Sequence, residues 1–410
     1  MTIKGSTTKR QTSVLFVTTS FPTSENPASG IFVKRLVDSV PSHVKLTVLT
    51  PCGTSPTSLG QSPTYDLVCF RYAPWQWQTL AHQPGGIPAA LEKSFLIKLV
   101  LPIFLLCFFW RCFREAGKVD IIHANWSVNG FICALANVFA RRPMILTLRG
   151  TDISKTGSSI TYRLILRFAI RASTVVTVVS NAMSDKLCAQ FPQHQKRIIS
   201  ITNGVDNRLT DIPPRDSKHS KDNLNILVIA NLIKLKNVPV ILEAVSKLKG
   251  QISCNLRIIG EGPERDALIV QARMLELTEF VDFAGVVDPE KIIDYLKYAD
   301  CLVLTSSSEG RPNVVLEAFA AGLPVIASDI DGVRELIGDN ENGLLYKSGD
   351  SQMLAERLQE LFYSDVLYRR YSRSGRDYIL KHNLLWSDTG NQYAEIYDSL
   401  TSKAESKVAI

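Results

Sequence analysis

Two carboxylates, Glu309 and Glu317, flank a seven-residue gap in the stretch SSSEGRPNVVLEAFAAGLPV (306–325), the second inside an almost wholly apolar run. A carboxylate accepts two hydroxyl hydrogen bonds at once, which matches a vicinal diol such as that of a ribose. Just ahead of Glu317 the residue order predicts a helix start, because Pro312 suits the first helical position and leaves no N–H unpaired there. Gly322 followed by Pro324 suits its end. The first amides of such a helix, at Asn313 and Val314, offer unpaired donors and partial positive charge to a phosphate. Glu317 shares helical spacing with Asn313, Ala320 and Ala321, a face of small residues open to a bulky ligand. Taken alone, Glu317 reads equally well as a solvated helix glutamate, and Glu309 beside Gly310 as an exposed loop acid. With the phosphate-ready helix start, the pair points to a nucleotide-sugar site.

These residues need a frame, and the chain supplies one. Short β-branched runs alternate with helical stretches along the 410 residues, the pattern of parallel sheets with helices on both faces. VLFVTT, KLTVLT, DIIHA, MILTL and STVVTVVS form a first strand set; LNILVIAN, CNLRIIGEG, VDFAG, DCLVLTS and PVIASD form a second. The fold class expected is α/β with two Rossmann-like doubly wound domains. The expected divisions are a first domain over 1–207, a polar, proline-containing linker over 208–222, a second domain over 223–375, and C-terminal helices over 376–410. In such sheets ligands lie beyond the carboxyl ends of the strands. Gly30, after the first strand, would let backbone approach a diphosphate or acceptor, or is simply a turn glycine. His123, after DII, could bond a donor sugar, or is a satisfied structural histidine.

Composition excludes several classes. With 45% hydrophobic and 21% charged residues the chain is globular. A net charge of +7 favours anionic partners mildly, without the concentrated basic stripe or the sequence signatures of a nucleic-acid binder, so no nucleic-acid partner is expected. The eight cysteines lack metal or redox spacing and read as reduced core residues of a cytosolic protein. MTIKGSTTKRQTS lacks the apolar core of a secretory signal, so export is not expected. Residues 94–114, SFLIKLVLPIFLLCFFWRCFR, are strongly apolar and basic-edged, but Lys98 and Pro102 interrupt them and a spanning helix is not expected. Two readings stay open: a buried helix of a freely cytoplasmic protein, or peripheral attachment to an anionic membrane surface on the inner face of the cytoplasmic membrane.

SSSEGRPNVVLEAFAAGLPVIASDIDGVREL resembles the E-x7-E region of retaining glycosyltransferases of family 4, which have the GT-B architecture of two domains facing across a cleft; the resemblance implies that 1–207 is the acceptor-side domain, 223–375 the donor-binding domain, and 376–410 helices packing back towards the N-terminal domain. FPTSENPASGIFVKRL, DIIHANWSVNG, LTLRGTDIS, VVSNAM, ITNGVD and IIGEGPER are similar to that family's segments in the same order, and NPASGIFV with TLRGTDIS looks like the branch containing teichuronic acid biosynthesis transferases. The resemblance implies that Glu317 binds the nucleotide ribose, Glu309 the donor-sugar hydroxyls, and the segment Gly310, Arg311, Pro312, Asn313 and Val314 the sugar and diphosphate. Lys236 in NLIKLKN matches the diphosphate lysine, although alone it reads as a solvated turn lysine. The family commonly carries arginine five residues earlier, where Asn231 stands here; Lys234 or Arg311 could replace that charge. Asn125 stands where the family often has a second histidine. Arg149, Gly150 and Asp152 look like the acceptor-side loop, with arginine in place of histidine.

The implied activity is retaining hexosyl transfer from a nucleotide sugar to a glycan or lipid-linked oligosaccharide acceptor in cell-envelope polysaccharide biosynthesis. The leaving phosphate would take the acceptor proton. No metal or other cofactor is expected: DID (329–331) has D-x-D spacing, but lies in a loop the family uses without metal. A glycosidase acid/nucleophile pair is excluded because Glu317 would sit on the ribose, remote from the scissile bond. The remaining rivals are a nucleotide-sugar epimerase of the same architecture and a catalytically inactive donor-binding assembly protein.

Overall fold

The computed structural model describes residues 11–408 except 28, 57–58, 61, 83–86, 88–89, 91–94, 151–158, 219 and 221, and the side chains of 95, 96 and 403–408. Val- and Ile-rich runs favour extended backbone and can be buried on both faces of a parallel sheet. They build two sheets. The first contains β1 (Thr12–Val17), β2 (Val44–Pro51), β3 (Tyr65–Phe70), β4 (Ile121–Asn125), β5 (Met144–Leu148), β6 (Val175–Val178) and β7 (Ile198–Ser200), in spatial order β3-β2-β1-β4-β5-β6-β7. The second contains β8 (Asn223–Ile229), β9 (Ser253–Ile259), β10 (Val281–Gly285), β11 (Cys301–Leu304), β12 (Val325–Ser328) and β13 (Leu344–Tyr346), in order β10-β9-β8-β11-β12-β13. Every pairing is parallel, and in both sheets the order reverses beside the first strand, at β1/β4 and β8/β11, which opens a crevice at the carboxyl ends. Three strands are additional to those legible in the sequence: β3, β7 and β13, the last two only three residues long.

One face of the first sheet carries helices Phe95–Ala116, Ser127–Ala136, Ile160–Ala172 and Asn181–Gln190; the other carries Ile31–Ser39 and the C-terminal Trp386–Val408. The polar segment after residue 207 is not a free tether. Leu209 and Ile212 are buried, Arg215 donates to the Leu296 carbonyl at 2.8 Å, and Lys218 donates to the Phe362 carbonyl at 2.6 Å, so the segment lies along the second domain. Helix Asp365–Lys381 runs unbroken past residue 376 and packs on helix Asn313–Ala320 in the second domain. The return to the first domain therefore falls at 382–385. There Val205 pairs with Leu385, and a Cβ on Gly204 would lie 2.4 Å from backbone atoms of Leu385 and Trp386.

Two expectations are corrected. Cys52 and Cys69 form a disulfide instead of staying reduced: Cys69 lies in β3, hydrogen-bonded to β2, and Cys52 follows β2 directly, with Cα atoms 5.0 Å apart. Without β3 in the sequence reading, the seventeen-residue separation gave no cue. The other six cysteines are free. His123 does not reach the crevice. It is wholly buried beneath the C-terminal helix, its Nδ1 meeting the Tyr397 hydroxyl at 2.6 Å and its Nε2 meeting Thr147 Oγ1 at 2.7 Å. Alternation explains this: residues 121, 123 and 125 share the β4 face that the helix covers, and only Asn125 reaches the carboxyl end.

His123 and Gly204 each give a measurable expectation. Burial, and secondarily the charge of Arg149, push the His123 imidazole down to about 3. The native state therefore keeps it neutral while the unfolded chain binds a proton below about pH 6.5, so its stabilising contribution is present above that pH and fades on acidification. Denaturant titrations should show a loss of about 2 kcal/mol between pH 6.5 and pH 5 in excess of that in His123→Asn. Equal pH slopes in both proteins would refute the assignment. Gly204→Ala, forced against the returning chain, should lower stability by about 1–3 kcal/mol, read as a lower midpoint.

Candidate functional site

Strand β11 ends at Leu304 and hands the chain to a loop that reaches the crevice with Glu309 and Gly310. Helix Asn313–Ala320 follows, with Pro312 as its N-cap in extended conformation, one position before the first-helical place expected. Its first amides, at Asn313 and Val314, have no acceptor inside the helix. Gly322 adopts φ +63°, and the Leu323 N–H donates to the Ala318 carbonyl at 2.8 Å, which closes the C-terminal end. The open side of this helix holds Asn313, Val314 and Glu317. Ala320 and Ala321, expected beside Glu317 on an accessible face, are instead wholly buried in the core, where their small size permits close packing.

Both site carboxylates are partly buried and bound by cations. Lys236 Nζ lies 2.5 Å from Glu309 Oε1, which also accepts from Ser306 Oγ at 2.7 Å. Glu317 Oε1 is met at 2.5 Å by Arg35, which comes from the helix Ile31–Ser39 of the other domain. The crevice is thus closed by an ion pair that sequence reasoning missed, since an arginine in IFVKRLVDS carries no mark distinguishing it from any helix arginine. Two further pairs span the domains: Lys186 to Asp331 at 2.5 Å, and the amides of Asn181 and Ala182 to the Glu335 carboxylate. Glu335 thereby occupies the N-terminus of helix Asn181–Gln190, where a negative charge is favoured.

On the first domain, Arg149 follows β5 and donates to Asn125 Oδ1 at 3.0 Å and to Asn203 Oδ1 at 3.1 Å, while Asn203 Nδ2 donates to Asn313 Oδ1 at 2.8 Å. Its guanidinium lies 4.7 Å from the centre of the Phe32 ring. This relay joins Asn125, Arg149 and Asn313, three of the residues singled out in the sequence, across the domain boundary. Gly150 and Gly310 face each other directly: a Cβ on Gly150 would sit 3.4 Å from Gly310 Cα. Gly30, at φ +63°, caps the helix bearing Arg35, and a Cβ there would meet the Ser20 carbonyl oxygen at 2.4 Å, so the close chain approach requires glycine. Asp152 lies outside the described residues.

The two candidates for the missing charge differ. Arg311 is buried, 3.7 Å from Glu335, and desolvation pushes its pKa down, offset in part by Tyr378 and Glu335; it braces the loop from behind. Lys234 is exposed in the turn after β8, where Asn231 is exposed too. Asp329 and Asp331 of the D-x-D are held by Arg334, and Asp331 also by Lys186; these neighbours pull both carboxyls below their ordinary value. A polar cavity of ≈ 300 Å³ lies here between the domains, walled by Lys186, Glu309 and Asp331 among others.

Comparison with known proteins agrees with this geometry. Residues 33–209 match the family profile described as Glycosyltransferase Family 4, and residues 211–378 that described as Glycosyl transferases group 1. The N-acetyl-alpha-D-glucosaminyl L-malate synthase of Bacillus anthracis is 28% identical over 64% of this chain and 70% of its own. TuaC of Bacillus subtilis, named for teichuronic acid biosynthesis, is 26% identical over 86% of this chain and 90% of its own. The fold is similar to that of Anabaena HepE solved with UDP and glucose, with a TM-score of 0.74 and 21% identity, covering 95% of this chain and 100% of HepE. With two parallel-sheet domains, a crevice at their carboxyl ends and family matches that together run through almost the whole chain, the protein belongs to the group 1, family 4 glycosyltransferases of GT-B fold.

Proposed function

We propose that this glycosyltransferase moves a hexosyl group, with retention of anomeric configuration, from a nucleotide sugar to a glycan or lipid-linked oligosaccharide acceptor in cell-envelope polysaccharide biosynthesis. The observation that carries the reading is the placement of two partly buried carboxylates, Glu309 and Glu317, on either side of a helix start with free amides at the carboxyl end of β11. In this reading the diphosphate docks on the amides of Gly310, Arg311, Asn313 and Val314 and on Lys236. Glu317 exchanges Arg35 for the ribose hydroxyls, and Glu309 accepts from the sugar. Arg149, Gly150 and Asn125 face the acceptor. The names of TuaC and the malate synthase support a cell-envelope or small-acid acceptor class, and HepE's complex with UDP and glucose makes UDP-sugars the first donors to try.

Chemically, the bond from the anomeric carbon to the β-phosphate oxygen breaks, and a bond to the acceptor oxygen forms on the same face. The acceptor proton passes to the departing nucleoside diphosphate, so the scheme needs no protein base and no metal. What the protein supplies is charge: the helix amides and Lys236 meet the negative charge that builds on the diphosphate, and each such preorganised donor is worth about 3 kcal/mol of barrier. Closure of the domains excludes water, which otherwise hydrolyses the donor.

A panel of UDP-, GDP- and ADP-sugars should yield nucleoside diphosphate from at least one member. Binding without release would favour the inactive assembly protein. Glu317→Ala should weaken nucleotide binding about 10- to 100-fold, the loss expected for hydrogen bonds to a charged group, whereas Glu309→Gln should alter sugar preference and turnover more than nucleotide affinity. Negligible change in both variants would remove the site from this location.

A further inference from the structure

Helices 95–116, 127–136 and 160–172 lie side by side over one face of the first sheet, and their inner sides hold Phe104, Phe108, Ile132, Cys133, Leu166 and Ile170 in the core. Their outer sides are apolar as well. On the first helix Leu99, Ile103, Leu106 and Trp110 follow one another at helical spacing and are all more than half exposed, Leu106 by 68%. On the third, Ile160, Leu164 and Phe168 make a second exposed stripe. Phe139, 82% exposed at the end of the middle helix, packs edge-on against Phe113 of the first, and Phe131 of the middle helix packs against Phe168 of the third. The stripes therefore belong to one continuous surface, of a size and aromatic content that isolated exposed residues on soluble proteins do not reach.

Charge on this surface has a single sign. Arg163, Arg167 and Arg171 form an exposed row next to the Ile160–Leu164–Phe168 stripe, and Lys98, Arg114 and Arg141 are exposed at the edges. Among the described residues none of these six makes an ion pair. The three helices contain one carboxylate, Glu115, which is buried against Arg111 and Lys118. A second copy of this chain docking by a two-fold axis would bring the arginine rows towards each other with no acid between them, which disfavours self-association. An apolar sheet with basic residues alongside is instead complementary to a bilayer whose acyl chains lie beneath negative headgroups. No helix among the described residues is long and apolar enough to span such a bilayer, which leaves contact in the plane of the surface.

We infer that this three-helix face seats the protein on an anionic lipid surface, with the Leu99–Trp110 and Ile160–Phe168 stripes in the headgroup boundary and the arginine row on the phosphates. The inference rests on the face alone and is independent of the transfer reaction.

Sedimentation with vesicles of phosphatidylcholine, alone or with one third phosphatidylglycerol, tests it. The full chain should pellet with the anionic vesicles at low salt, bind neutral ones far less, and be released by high salt. Arg163→Gln/Arg167→Gln/Arg171→Gln should reduce partitioning about a hundredfold, at roughly fivefold per arginine. Leu106→Glu/Leu164→Glu, at exposed positions where folding is preserved, should abolish it while circular dichroism and nucleotide binding in solution stay as in the parent. No pelleting with anionic vesicles at low salt would overturn the inference, as would pelleting unaffected by both variants. So would a dimer in sedimentation equilibrium that the leucine variant dissociates.

Discussion

A carboxylate withdrawn from water must be matched by a cation or by several hydrogen bonds, and the organisation of this cleft follows from that constraint. Glu309 and Glu317 are each mostly buried, and each is met by one positive group, Lys236 from the same domain and Arg35 from the other. The difference in origin matters. Glu309 stays satisfied whatever the domains do, because its partners Lys236 and Ser306 move with it. Glu317 is satisfied only while the domains are together or while another group takes the place of Arg35. In the proposed reading a ribose diol there would compete directly with an interdomain contact, and nucleotide binding and domain closure would be linked through one carboxylate.

The remaining interdomain contacts show how closure is limited. Gly150 and Gly310 meet without side chains, so their backbones set the distance of approach. Around that point the pairs are polar: Lys186 with Asp331, Glu335 with the amides of Asn181 and Ala182, and Asn203 with Asn313. Of these only Lys186–Asp331 is an exposed ion pair, which contributes about 0–1 kcal/mol. An interface built mainly from polar pairs, with Met183 set against Gly310, exposes little apolar surface when it opens. The permanent connection is elsewhere, at the two chain crossings where Val205 pairs with Leu385 and the C-terminal helix is fixed on the first sheet by Trp386, Tyr393 and Tyr397.

The legible part of this structure is the part written by local rules. Strands β8 to β12 and the bounds of helix 313–320 follow from β-branched runs and from proline and glycine placement, and the crevice follows from parallel topology. What escaped the sequence depends on partners far along the chain. β3, YDLVCF, is broken near its start by Asp66 and so did not stand out, and with it the Cys52–Cys69 link was hidden. His123 illustrates a different limit. Its place in an apolar strand is readable, but which face of the sheet the C-terminal helix covers is not, and that decides whether the ring meets a ligand or Tyr397. Arg35 was invisible because its role exists only when the two domains come together.

Asn231 bears on how the site divides its charge. An arginine at that position would stand on the carboxyl end of β8 beside the Lys236 turn, and its absence leaves Lys236 as the second domain's partly buried lysine at Glu309, with Lys234 turned to solvent and Arg311 enclosed behind the loop against Glu335. The first domain also brings cations to this region. Arg35 enters from the facing helix within bonding distance of Glu317, and Arg149 stands above Phe32 and is linked through Asn203 to Asn313, the first residue of the phosphate-ready helix. Positive charge around that helix start is thus contributed by both domains, and its full strength is assembled only in the closed form. If the diphosphate docks there as proposed, it would be less stabilised while the cleft is open to water, which is the state in which cleavage of an activated sugar would be wasted on hydrolysis.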